Sequence, residues 1–235
     1  MRDVKKPKSY FDAYIKSSKR AITLYEEGIA RPETEADHRS QLQHSVYSQR
    51  LHMLIACYSR GDEVATVAEQ FPAVVDSLEL SLQGDFADPF VFREFDAYVH
   101  GLWLTSLAHL LKAPDELHDR IRDVFRDESD PIFDRLAQRT PSSNVLCHPR
   151  PYGDLLNALE SGGPDADKGY KKFLKKWYSG MKRTYWHGSH RGENAGYFGY
   201  WCLELAALVY LYEIDDSSFA DHENYPSDLV DWARR

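Results

Sequence analysis

The sequence has few cysteines, and they lie far apart. Cys57, Cys147 and Cys202 are the three cysteines among 235 residues, and no C-x-x-C pair occurs. An odd number of widely spaced cysteines argues against a disulfide framework or a zinc ribbon and fits a reducing compartment. The first residues also hold no apolar stretch of the kind that a signal peptide needs. We therefore expect a cytoplasmic protein.

Catalytic signatures are missing as well. The chain has no G-x-S-x-G nucleophile elbow and no kinase motif. The loop Ser161-Gly162-Gly163-Pro164 lacks the Lys-Ser/Thr ending of a phosphate loop. The dipeptide His118-Asp119 is found in metal phosphohydrolases, but here it follows Pro114 closely and is predicted to be a surface pair in the first turn of a helix. We expect neither a cofactor nor enzyme activity.

No apolar run is long enough to cross a membrane. The longest reaches from Gly196 to Tyr212 and contains one charged residue, Glu204, and four tyrosines. A membrane span needs about 20 apolar residues. A helix that is apolar all round is otherwise buried in a protein core. The run is therefore predicted to form the central helix of a bundle.

Glu204 needs a partner inside such a core, because an isolated buried carboxylate is very costly. The segment just upstream supplies cations and donors at Lys182, Arg183, His187, His190 and Arg191. We favour a structural ion pair.

The alternative is a metal-dependent helical hydrolase that uses His187, His190 and Glu204, with Glu193 as a further ligand. The two histidines lie in a Gly-rich loop rather than on one helix face, so the H-E-x-x-H geometry is absent. We predict no metal site.

Helical periodicity fills most of the chain. Alternation with a period of two is almost absent, so the predicted fold class is all-α. Helices are predicted at about 9–28, 33–60, 63–82, 89–111, 114–127, from 131, and at 152–160, 168–186, 196–212 and 226–232. Their short links fit an irregular bundle of antiparallel helix pairs or a TPR-like arrangement. A Pro- and Ser-rich linker at 141–151 separates a predicted N-terminal helical domain, 1–140, from a C-terminal one, 152–235.

The negative charge is unevenly spread. The net charge is −8, yet residues 168–191 hold eight Lys/Arg and no Asp/Glu, whereas residues 193–235 hold nine Asp/Glu and two Arg. This asymmetry indicates charge-steered association or pairing between the two segments. The aromatic residues of the basic run fall on the opposite helix face and are predicted to be core. The overall sign argues against direct binding to nucleic acid.

A specific pattern of aromatic, glycine and proline positions ends the chain. It reads Tyr197-x-Gly199-Tyr200-Trp201-x-x-Glu204, then Ile214-Asp215-Asp216-Ser217 and Tyr225-Pro226-x-Asp228-Leu229, with Trp186-x-x-x-His190 upstream. This pattern resembles the C-terminal domain of the PoNi family, which are immunity proteins that neutralise polymorphic nuclease effectors. The resemblance covers about residues 172–231. It is looser in the N-terminal half, where it lies mainly in the order of helices.

The resemblance implies a helical protein without enzyme activity that binds and blocks a cognate toxin, a DNase in the favoured interpretation, during type VI secretion. A nuclease site is cationic because it binds phosphate and metal, so displayed carboxylates would imitate DNA and speed association. The predicted partner-binding residues are Asp215, Asp216, Asp221, Glu223, Tyr225, Asp228 and Trp232, with Tyr212 as a further aromatic anchor. The predicted structural residues are Trp186, His190, Tyr197, Gly199, Tyr200, Trp201 and Glu204.

Overall fold

The computed structural model describes residues 1–83, 90–141, 143–192 and 196–235. Within these ranges the chain forms helices and connecting turns and no β-strand, so the predicted all-α fold class is confirmed. The chain divides into two compact units, Met1–Pro89 with Ser189–Gly199, and Phe90–Gly188 with Tyr200–Arg235. The predicted linker at 141–151 falls inside the second unit, and the division at that linker stays a prediction.

Among the described residues, the first unit contains four α-helices, a short 3-10 helix (Ser189–Arg191) and a returning segment. The helices are α1 (Lys8–Ala30), α2 (Ala36–Arg60), α3 (Val64–Ala68) and α4 (Phe71–Ser81). The long helix α2 packs against both α1 and α4. The helix predicted at about 63–82 is divided into α3 and α4, and Pro72 is accommodated in the first turn of α4. Gly61 ends α2 with a φ of 102°, in the left-handed region that glycine adopts without strain.

The returning segment 196–199 is fixed to α1 and α2 by side-chain contacts. The Ser59 hydroxyl donates to the Phe198 carbonyl at 2.7 Å, and the His52 ring stacks on the Phe198 ring at 4.2 Å. The Tyr10 hydroxyl accepts from the Tyr197 backbone N–H at 2.9 Å. The Tyr197 hydroxyl donates in turn to Asp3.

The second unit surrounds one buried helix. Its helices are α5 (Phe95–Leu110), α6 (Asp115–Val124), α7 (Pro131–Leu136), α8 (Pro149–Glu160), α9 (Gly163–Gly180), α10 (Leu203–Leu211) and α11 (Ser227–Arg234). Every residue of α5 from Tyr98 to Leu110 is buried. Helix α5 packs against α10, and α8 packs against α9. The apolar sequence of α10 thus meets an equally apolar neighbour.

The apolar run 196–212 is not one helix, and that prediction was wrong. Only Leu203–Leu211 is α-helical. Gly196 and Gly199 have φ values of 70° and 121°, which end any helix that would include them. Backbone groups of the run bond instead to Asn224, whose carbonyl accepts from the Cys202 N–H at 2.8 Å and whose amide donates to the Tyr200 carbonyl at 3.0 Å. The apolar sequence therefore indicated correctly that this segment is buried, but it did not indicate where the helix begins.

In the parts of the chain that the structure describes, none of the helices has both the length and the hydrophobicity that crossing a membrane requires.

Candidate functional site

Four of the predicted partner-binding residues lie in a loop that follows α10, and the other three, Tyr225, Asp228 and Trp232, come after that loop in the chain. We call residues 213–223 the acidic segment; it contains Glu213, Asp215, Asp216, Asp221 and Glu223. All of these except Asp216 have exposed side chains. Tyr212, just before the segment, is 51% exposed. The structure therefore displays carboxylates and one aromatic ring at this surface.

Asp216 differs from its neighbours because it is part of the internal support. Its side chain is 13% exposed and lies 3.1 Å from an Arg234 guanidinium nitrogen. Its other carboxylate oxygen accepts from the Tyr225 hydroxyl at 2.7 Å. Arg234 also donates to the Ile214 carbonyl at 3.0 Å. Asp216 thus fastens the acidic segment to α11.

Tyr225 is buried rather than displayed. It is 3% exposed and meets Phe219 edge-to-face, with ring centroids 5.2 Å apart. Burial, together with the hydrogen bond to Asp216, raises the pKa of Tyr225 well above its ordinary value. Its role in the structure is to support the acidic segment from below.

The remaining predicted residues lie on α11 or on the surface of the acidic segment. Trp232 and Asp228 on α11 are partly exposed, and the Lys112 ammonium lies 5.3 Å from the Trp232 ring centroid. Asp215 lies on the surface, where its carboxylate accepts from the Ser217 backbone N–H at 3.0 Å. That hydrogen bond lowers the pKa of Asp215, so the group is ionised at neutral pH.

Glu204 takes its hydrogen bonds from neutral donors. Its side chain is fully buried, and Oε1 accepts from the Trp177 indole at 2.6 Å and from the Tyr152 hydroxyl at 3.3 Å. Among the described residues, neither Lys, Arg nor His pairs with it, so the predicted ion pair was wrong. Burial raises the pKa of Glu204 to about 7, with the Trp177 hydrogen bond acting in the opposite direction.

The residues of the alternative metal site have other neighbours. His187 stacks on Tyr178, with ring centroids 4.5 Å apart. His190 packs near Tyr197, with ring centroids 6.2 Å apart. Within the described ranges no group of three or more His, Cys, Asp or Glu side chains could hold a metal ion. Glu193, the further ligand considered, lies outside the described residues.

The aromatic residues of the terminal pattern form a buried cluster in each unit. Tyr197, Tyr200, Trp201 and Trp186 are all less than a tenth exposed. The Trp186 ring contacts the rings of Tyr200, at 5.4 Å, and Trp177, at 5.9 Å. His190 is partly exposed.

The basic face of α9 is largely neutralised by nearby acids. Lys172 and Lys176 both pair with Asp154 of α8, at 2.8 and 3.3 Å. Lys171 pairs with Asp167 at 2.9 Å, within α9 itself. Phe173 and Trp177 lie on the opposite, buried face, as the sequence predicted. The pairs of these lysines are therefore formed within α8 and α9 rather than with the acidic segment.

A groove that the sequence did not reveal lies between α9 and the acidic segment. It has a volume of about 360 Å³, and its lining includes Lys171, Lys175, Ser217, Ser218, Asp221 and His222. These residues are separated by about forty positions along the chain. No sequence pattern predicts the groove, because it forms where the acidic segment packs onto α9.

Two family models match nearly the whole chain. Residues 2–122 match the model described as "PoNe immunity protein (PoNi), N-terminal", and residues 128–229 match "PoNe immunity proteins (PoNi), C-terminal". The chain belongs to the PoNi family. The resemblance seen in the C-terminal motifs is confirmed, and it extends through the N-terminal half.

A solved structure shows the same fold as this PoNi chain. It is titled "The Crystal Structure of Protein PA2201 from Pseudomonas aeruginosa" and superposes with a TM-score of 0.78 at 21% sequence identity, covering 99% of this chain and 91% of that chain. At this identity the likeness concerns the fold alone. None of the curated proteins matches the chain.

Proposed function

We propose that this PoNi chain is an immunity protein that binds a cognate PoNe toxin, a nuclease, and neutralises it by direct contact, without catalysing a reaction. The observation that carries the proposal is the match to both family domains, over residues 2–122 and 128–229. Glu204, the carboxyl group considered for the alternative hydrolase, is enclosed by Trp177 and Tyr152 and has no exposed surface through which to meet a substrate.

The contact surface in this proposal is the exposed part of the acidic segment. Asp215, Asp221 and Glu223 carry exposed carboxylates next to the exposed Tyr212 ring. A nuclease binds phosphate with Lys and Arg, so its working surface has the opposite charge. Opposite charges raise the rate of association and disfavour wrong partners, and an aromatic residue can supply affinity.

The buried residues have a supporting role in the proposal. Asp216 and Tyr225 hold the segment in shape, and Trp232 and Asp228 are partly exposed residues of α11, the helix to which Asp216 is bonded. The chain itself is not proposed to bind DNA, since its net charge of −8 repels phosphate.

Charge reversal tests the acidic surface. The variant carries Asp215→Lys, Asp221→Lys and Glu223→Lys, three exposed positions that leave Asp216 intact. The binding partner is the cognate PoNe toxin, whose gene we expect to lie beside the gene for this chain. We expect association about 10-fold slower or more, with loss of protection when toxin and variant are produced together.

A matched control separates the surface from the net charge. Glu27→Lys, Glu33→Lys and Glu35→Lys make the same change in charge at exposed positions of α1 and the link to α2. This control should protect cells almost as well as the wild type. Equal losses in both variants would show that only overall charge matters, and absence of wild-type binding would end the proposed function.

A further inference from the structure

The groove between α9 and the acidic segment is rich in hydrogen-bond donors. Lys171 and Lys175 line the side formed by α9, and Ser217, Ser218 and His222 line the other. Asp221 is the carboxylate in the lining. The floor is apolar, where the nearly buried side chains of Leu174 and Phe219 meet the space.

Three of these residues, Lys171, Ser218 and His222, already have a hydrogen-bond or ion-pair partner within the chain. Lys171 is held 2.9 Å from Asp167, which also accepts from the Ser218 hydroxyl. The His222 Nδ1 atom accepts from the Asn224 backbone N–H at 3.2 Å, so the neutral ring carries its proton on Nε2. Burial lowers the pKa of His222, which keeps the ring neutral at pH 7.

Lys175 differs from Lys171, because it has no carboxylate partner among the described residues. Its side chain is exposed. Among the described residues no carboxylate lies within ion-pair distance of it, whereas Lys168, Lys171, Lys172 and Lys176 each have such a partner. An ammonium group offers three donors and prefers an anionic acceptor.

We infer that this groove binds a carboxylate side chain of the toxin, between Lys175 and Lys171, beside the contact made by the acidic segment. The inference rests on the proposed function. Its basis is charge complementarity, because the exposed Lys175 ammonium has no carboxylate partner among the described residues and a carboxylate on a protein partner would supply one.

A free nucleic acid is a poor occupant of the same groove. Asp221 lines it, Asp167 contacts it through Lys171, and Asp215 and Glu223 stand exposed in the adjoining loop. A phosphate chain carries many negative charges and would be repelled by all of these carboxylates, whereas a carboxylate side chain carries a single charge. A toxin surface that alternates in sign satisfies both parts of the interface.

The test compares two pairs of lysines on one helix. Lys171→Gln with Lys175→Gln removes the groove cations. Lys168→Gln with Lys172→Gln removes two lysines outside the groove lining and changes the net charge equally. Lys171→Arg with Lys175→Arg keeps the groove cations. Exposed ion pairs add little stability, so all three variants should fold, which circular dichroism checks.

Binding to the cognate PoNe toxin is measured by surface plasmon resonance. We expect the groove glutamine variant to bind about 10-fold more weakly or worse, through faster dissociation. The arginine variant should bind like the wild type. The outer glutamine variant should bind equally well or slightly faster, because it makes the chain more negative.

Three results would overturn the inference. They are an unchanged groove glutamine variant, equal weakening by both glutamine pairs, and capture of a DNA oligonucleotide by the wild type that the groove variant loses. Normal wild-type binding with any of these results removes the groove assignment alone. Absence of wild-type binding to the toxin instead overturns the proposed function.

Discussion

Glu204 shows how burial alone can move a carboxyl group toward neutral pH. In the unfolded chain it loses its proton near its ordinary pKa of 4.5, whereas in the folded chain the pKa is about 7. The folded state therefore holds one proton more than the unfolded state between these values. The contribution of protonated Glu204 to the free energy of unfolding is therefore largest below about pH 4.5, and it declines as pH rises toward 7. Tyr152, Tyr98 and Cys202, the titratable groups nearby, stay neutral because burial raises their pKa values.

Glu204→Gln should make stability less dependent on pH. Glutamine imitates the protonated acid and can still accept from the Trp177 indole. The wild type should lose up to about 3 kcal/mol of unfolding free energy between about pH 5 and pH 8, given about 1.4 kcal/mol for each unit of pKa shift. The variant should lose distinctly less. Urea unfolding at the two pH values measures this, and an equal decline in both proteins would contradict the buried acid described above.

Asp215 and Asp216 are neighbours in sequence with different roles. Asp216→Ala should lower the unfolding free energy by about 1–3 kcal/mol, because the Tyr225 hydroxyl and Arg234 both lose their acceptor. Asp215→Ala should change thermal unfolding little, since that carboxylate is exposed. Differential scanning calorimetry compares them. An Asp216 variant as stable as the Asp215 variant would show that Asp216 does not fasten the segment.

At the scale of elements, α8 and α9 approach closely at Gly169. A Cβ atom added at Gly169 would lie 2.6 Å from the Ala158 Cβ atom, well inside normal contact. Gly153, on α8, has open space at the corresponding position, with no atom within 4 Å. The two glycines therefore serve different purposes, although both lie inside helices.

Alanine substitutions should affect these two glycines in opposite ways. Gly169→Ala should destabilise the protein by about 1–3 kcal/mol, because α8 and α9 must separate. Gly153→Ala should stabilise it by about 0.5–1 kcal/mol, because alanine favours the helix and restricts the unfolded chain. Guanidinium unfolding provides both values. A loss of stability in the Gly153 variant, or none in the Gly169 variant, would refute the packing described.

Helix positions were predictable wherever periodicity and breakers agreed. The start of α7 at Pro131 follows directly from Asp130, whose side chain accepts from the N–H groups of Ile132 and Phe133. The end of α2 at Gly61 followed from the glycine. The run 196–212 misled because periodicity carries no signal in a sequence that is apolar throughout. Its two glycines were the better guide, since both adopt positive φ.

At the scale of the whole molecule, the family could be predicted from the sequence, but which site carboxylates are exposed and which are buried could not. Fixed offsets between aromatic, glycine and proline residues identified PoNi from the C-terminal third. Whether a carboxylate is displayed or buried depends on distant partners, such as Arg234, which lies 18 residues after Asp216. The groove likewise depends on where residues 217–222 come to rest on α9.

Charge at this scale has two separate consequences. The net charge of −8 gives a general attraction to a basic toxin. The exposed acids beside Lys171 and Lys175 form a pattern of both charges, which favours a partner that presents the opposite charges in the same arrangement. The first should weaken with salt over distances beyond a Debye length, about 8–10 Å near physiological ionic strength. The second should persist in the dissociation rate.

Binding through the acidic segment is tested most directly by the dissociation constant of this chain with its cognate PoNe toxin, measured for the wild type and for the variant with Asp215, Asp221 and Glu223 changed to lysine. We expect a stable wild-type complex, with a dissociation constant at least about 10-fold larger for the variant and little change for the control with Glu27, Glu33 and Glu35 changed to lysine. A variant that binds as tightly as the wild type would contradict binding through this segment.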